Sequence, residues 1–130
     1  MKIGFHLPIS KGFKALAKEA KGLRCEAVQV FVKNPRSWKE KEWLDEEVDA
    51  ARQVTSRLPV FAHLSYLPNL ARADEDERHL KALEDEAMLA CQVGARGLVV
   101  HCGSRGDKKK GLVALALAVN PVCEGWPLDI

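Results

Sequence analysis

The chain has 130 residues, 47% of them hydrophobic, and 20 basic against 18 acidic side chains give a net charge of +2. That length suits one domain with one core, and so mild a charge neither demands nor excludes nucleic acid, because local clustering matters more than the total. No apolar run approaches a membrane span, and Lys11, Lys14 and Lys18 interrupt the start of the chain where a secretory leader would need an apolar stretch.

The pattern alternates strand and helix four times. Residues 3–6 predict a short first strand ending at His6. Residues 11–23 carry Phe13, Leu16, Ala17 and Ala20 as a helical stripe, with Gly22 as a stop signal. Residues 27–32 are almost continuously apolar, as expected of a strand covered on both faces. A basic loop with Lys33, Asn34, Pro35, Arg36 and Trp38 leads into a second helix over about 40–56, with Trp43, Leu44, Glu47, Val48 and Ala51 at helical spacing. Residues 58–63 predict the third strand, ending at His63. A loop then runs to about Ala73. The third helix covers 74–93, with Leu80, Leu83, Ala87 and Ala90 on its inner stripe and Gly94 as its stop. Its polar character puts His79 in solvent. Residues 97–101 predict the fourth strand, ending at His101. Residues 109–123 predict a fourth helix, apolar nearly all round over 112–119, which implies a partner on both sides. Residues 127–130 read as the start of a fifth strand.

Four consecutive βα units imply parallel strands with right-handed crossovers. His63 and His101, each at the C-terminal end of its strand, then lie on one rim of the sheet. That rim is where an α/β barrel builds its active sites, and imidazole is the commonest metal-ligating side chain. Both are candidate metal ligands. His6 is a candidate to orient a ligand or contact phosphate. Ser65 can do the same through its hydroxyl or cap a turn. Cys102 should face away from the site if His101 faces it, since neighbours on a strand alternate. The four cysteines lack the two-residue spacing of a zinc knuckle or redox motif, and they read as reduced thiols of a cytoplasmic protein. The expected fold is α/β: a partial (β/α)₈ barrel, residues 1–130 forming one domain that corresponds to the N-terminal half, since a full barrel takes about 250 residues. Its two open sheet edges invite self-association.

His63-x-Ser65-Tyr66-Leu67-x-Asn69-Leu70-Ala71 resembles a signature of the endonuclease IV family, the zinc-dependent apurinic/apyrimidinic DNA repair endonucleases. Ile3-Gly4-Phe5-His6, Phe31-Val32-Lys33-Asn34-Pro35-Arg36-Ser37-Trp38 and His101-Cys102-Gly103-Ser104 resemble that family's first strand, second loop and His-Pro-Gly-Ser segment, in the same order. The resemblance implies a TIM barrel with a zinc cluster that hydrolyses the phosphodiester bond 5′ to an abasic site in double-stranded DNA. It implies zinc ligation by His63 and His101, and contact with DNA by Asn34, Arg36, Tyr66 and Leu67. The basic cluster of Arg105 and Lys108 on the same rim is expected to contact phosphate. No residue is assigned as catalytic. Pro68 and Cys102 depart from the family pattern, and the remaining ligands that the resemblance implies, from later strands, lie beyond Ile130. The competing readings are a sugar isomerase or epimerase barrel and a half-barrel that binds without catalysis.

Overall fold

A computed structural model describes residues 1–125; the expected fifth strand over 127–130 lies outside them. The elements are β1 (Gly4–His6), α1 (Phe13–Gly22), β2 (Ala27–Val30), α2 (Asp45–Thr55), β3 (Val60–His63), a 3₁₀ turn (Leu70–Arg72), α3 (Glu77–Gln92), β4 (Leu98–Val99) and α4 (Lys108–Gly125). The strands form one parallel sheet in chain order, β1-β2-β3-β4. The sheet is open, as in part of a barrel.

Pleating divides the sheet into two unlike faces. Val28, Val30, Val60, Ala62 and Leu98 point to one face and are buried among Leu16, Ala51, Leu83, Ala87 and Ala90 of the helices. This is the core. The other face carries His6, Gln29, Phe31, Phe61 and His63, with His6 in register with Gln29 and Gln29 with Phe61. No helix layer covers it among the described residues. The second strand is therefore covered on one face only: Ala27 and Gln29 stay half-buried while Val28 and Val30 are buried.

The second helix starts at Asp45, later than its apolar spacing predicts. Trp43 packs beside Phe13 with ring centres 5.9 Å apart while still outside the helix. The helix begins where Asp45, Glu46 and Glu47 face its positive end, and the Glu47 carboxylate accepts the Leu44 N–H. At α4, Gly111, Ala114, Ala118 and Val122 face inward, while Leu112 and Leu117 are 66% and 68% exposed. Ile3 and Phe5 are likewise uncovered at β1, on the opposite edge.

Both α1 and α3 end in the same pair of bonds. Cys25 donates its N–H to the Ala20 carbonyl and Arg24 to that of Lys21; Ala95 donates to Ala90 and Gly94 to Cys91. This turn needs one left-handed residue. In α3 that residue is Gly94, as expected, with φ of 73°. In α1 it is Arg24, with φ of 56°, and Gly22 still belongs to the helix. An L side chain there costs roughly 1–2 kcal/mol. Arg24→Gly should therefore raise the unfolding free energy by about 1 kcal/mol in urea denaturation; an unchanged or lowered value contradicts this reading of the turn.

Candidate functional site

Three loops rise from the C-terminal ends of β2, β3 and β4. His63 pairs with Val99 across the sheet, and His101 follows Val99 by two residues, so both imidazoles rise from the same face. Their ring centres are 4.9 Å apart. His63 is buried to 8% exposure, and its Nδ1 lies 2.7 Å from the Leu64 carbonyl oxygen. A carbonyl only accepts, so Nδ1 carries the proton and the Nε2 lone pair is left available. His6 joins from β1, its ring 6.0 Å from that of His63. Its Nδ1 donates to Gln29 Oε1 at 3.1 Å. Desolvation on the sheet face holds the His6 pKa below its ordinary value, and the neighbouring His63 adds to this.

Two imidazoles on one tetrahedral zinc ion, with N–Zn bonds of about 2.0–2.1 Å, place their ring centres roughly 5 Å apart. The spacing of the His63 and His101 ring centres is compatible with that geometry. The pair fits as part of a shell, because among the described residues no three His, Cys, Asp or Glu side chains gather. Cys102 adds no donor to the pair. It lines a groove with Arg105, Gly111 and Leu115 against α4.

Of the expected DNA-contact residues, Tyr66 lies beside the histidines, its ring centre 6.4 Å from that of His63. Phe31 stands between, 5.2 Å from the His63 ring and 5.0 Å edge-on to Tyr66. Tyr66 is 56% exposed, and Leu67 beside it is half-buried. The Tyr66 N–H donates to the Pro35 carbonyl at 2.9 Å and ties the second loop to the third. Asn34 Oδ1 accepts the Arg36 N–H at 3.0 Å, a local turn that leaves both side chains exposed. Arg105 is engaged elsewhere. Its guanidinium takes both oxygens of Asp74, at 2.7 and 2.9 Å, and reaches Glu75 at 2.8 Å. It holds the Asp74 carboxyl below the usual range. Lys108, Lys109 and Lys110 follow it at the start of α4 and are exposed.

Ser65 has its hydroxyl on Glu86, not on the imidazoles. The fully buried Glu86 carboxylate accepts both the Ser65 hydroxyl and its N–H, the latter at 2.9 Å. Lys33, its side chain 5% exposed, places Nζ 3.9 Å from the same carboxylate. One charge inside α3 thus anchors the second and third loops together. Sequence reasoning passed over Glu86, although it stands three residues after Leu83 and one before Ala87 on the inner stripe. A carboxylate on an apolar stripe is the available signal. Asn69 was also missed as a side chain with a job: its amide donates to the Ser104 carbonyl at 2.9 Å and accepts the Ser104 N–H at 3.1 Å. His79 is not in solvent as its helix suggested. It is half-buried, 5.9 Å from the Trp38 ring, with Nδ1 3.4 Å from the Asn69 N–H nitrogen.

No family model matches the chain. Individual proteins do. Endonuclease 4 of Thermus thermophilus is 38% identical over 126 residues, which covers 90% of this chain and 47% of that protein. A probable endonuclease 4 of Nitrosopumilus maritimus is 35% identical across a 138-residue alignment, covering 94% and 50%. A crystal structure of endonuclease IV from Thermus thermophilus superposes with a TM-score of 0.73 at 38% identity, covering 92% of this chain and 48% of that one. The chain spans about half the length of the relatives it matches.

Burial of Glu86 penalises its ionised form and raises its pKa above 4.5, while the Ser65 hydrogen bonds and Lys33 oppose the rise. A carboxyl with a raised folded pKa contributes stability that is full below 4.5 and declines as pH climbs through the window above it. Glu86→Gln keeps an acceptor for Ser65 and cannot ionise. In urea denaturation from about pH 4 to about pH 8, the stability of the parent relative to Glu86→Gln should fall as pH rises. A difference that is flat, or grows with pH, contradicts the assignment.

Proposed function

From a chain that is a relative of the endonuclease IV proteins and matches about half their length, we propose a share in a zinc-dependent DNA repair endonuclease that hydrolyses the phosphodiester bond 5′ to an abasic site. The observation that carries this reading is the His63–His101 pair, 4.9 Å apart beside the exposed Tyr66. His63 and His101 hold zinc through ring nitrogens, as two donors of a larger shell. A zinc ion bound at such a site lowers the pKa of its water and neutralises phosphate charge. Side chains of this chain contribute binding and orientation.

An abasic site leaves a gap in the base stack, and filling that gap lets the damaged nucleotide turn outward at a cost of a few kcal/mol, smallest at a lesion. Tyr66 and Leu67 supply the wedge. Phe31 supports Tyr66 edge-on and limits its freedom. Arg36 and Lys108 take phosphate oxygens, and the Asn34 amide nitrogen, free of the local turn, donates to sugar or phosphate. His6 stays neutral on the sheet face. Its Nδ1 proton is held by Gln29, which leaves Nε2 as an acceptor on the same face as His63.

The test uses the purified chain with zinc, and with an abasic-site duplex and its intact counterpart. His63→Ala and His101→Ala should each lower zinc affinity at least about tenfold, and Cys102→Ser should leave it unchanged. Tyr66→Ala should weaken abasic-duplex binding by about 1–3 kcal/mol with little change for intact duplex, and affinity should fall steeply with salt. Equal losses from Cys102→Ser and His63→Ala, or no preference for the abasic duplex, contradict the proposal.

A further inference from the structure

His101 sits past the end of its strand. β4 is two residues long and ends at Val99, so His101 stands two residues past the last regular strand position, exposed, on a chain that runs irregularly to α4. Its partner needs no such help: His63 ends a four-residue strand and is buried with its Nδ1 on a backbone carbonyl. Something other than strand pairing must hold the segment after His101.

Two contacts do so, both from the loop after β3. The Ala71 N–H donates to the Cys102 carbonyl at 2.9 Å. The Asn69 side chain bonds both backbone groups of Ser104, donating through Nδ2 and accepting through Oδ1. A terminal amide has one donor end and one acceptor end. It can therefore stand in for a strand neighbour where β4 has run out. Gly103 lies between the two contacts with φ of 81°. A Cβ on it would come within 2.0 Å of Asn69 Oδ1. A side chain at Gly103 is disfavoured twice, by the left-handed φ and by the Asn69 residue packed against it.

The structure assigns to Asn69 the role of positioning residue for His101: its amide, clamped on Ser104 over Gly103, sets the His101 ring at its distance from His63. The placement stands on the contacts alone; its consequence for zinc rests on the metal reading above. Asn69 touches no reacting group itself. Its effect reaches the site through the backbone from Ser104 back to His101.

Two readouts on the full 130-residue chain separate these layers. Without metal, NMR should show a cross-peak between the ring protons of His63 and His101 in the parent. Asn69→Ala should lose it while the amide signals of the β2–β3 core stay in place. Asn69→Asp, which keeps the acceptor for the Ser104 N–H, should retain a weakened one. With zinc, Asn69→Ala should bind about 10–100-fold more weakly. Gly103→Ala should match that loss, and the double variant should fall well short of the product of the two, because both act on one contact. An Asn69→Ala chain that keeps the parent cross-peak overturns the assignment, whatever zinc does. A cross-peak lost from Asn69→Ala with parent and variant equally unable to take up zinc leaves the positioning role intact and overturns the metal reading instead.

Discussion

The register that sets His63 opposite Val99 governs the whole rim. Parallel pairing of β3 with β4 forces residues of one parity to one face. His101, two residues beyond Val99 and past the end of the strand, comes to 4.9 Å from His63, ring centre to ring centre. Shift that pairing by one residue and one imidazole turns into the helix-covered core. The register is in turn enforced by Val60, Ala62 and Leu98, which are buried on the opposite face and have nowhere else to go. Hydrophobic burial on one side of the sheet thus places polar chemistry on the other.

What the strands leave undetermined, a few buried or half-buried polar groups decide. Glu86 carries a charge into a fully buried position, which is tolerable only because Ser65 gives it two hydrogen bonds and Lys33 a counter-charge. Removing one partner of such a set costs more than the set contributes. That asymmetry makes the network a device for fixing geometry. It locks the base of the loop that presents Tyr66, and the Tyr66–Pro35 bond couples that loop to the one bearing Asn34 and Arg36. Asn69 extends the same logic to the fourth loop. The order of dependence runs from sheet register, through these polar anchors, to the aromatic and basic groups at the surface.

Much of this was legible in the sequence. Four strands, four helices and the rim location of His63 and His101 follow from apolar periodicity and from the rule that short βα units give parallel strands. The apolar outer face of α4 was legible too, since Leu112 and Leu117 leave the 112–119 stretch without a polar side. Other features depended on three-dimensional competition. Apolar spacing ran through Trp43, yet the helix waited for Asp45, because the tryptophan reaches Phe13 without being helical. Gly22 looked like a helix stop, but the left-handed residue fell on Arg24, just past the end of the helix. Arg105 read as a free cation because nothing in the linear order places Asp74 and Glu75 beside it. Gln29 looks like a member of a strand covered on both faces, and only the open sheet shows that, among the described residues, one face has no layer over it. In each case the residue's chemistry was visible and its neighbour was not.

Two imidazoles from adjacent strands converging on one divalent cation are the centre of this account. The most direct measurement is zinc K-edge X-ray absorption on the purified chain loaded with one equivalent of zinc. The expected first shell includes two imidazole nitrogens at about 2.0–2.1 Å, with oxygen donors in the remaining positions. A shell with no imidazole, or one dominated by sulfur at about 2.3 Å, contradicts it.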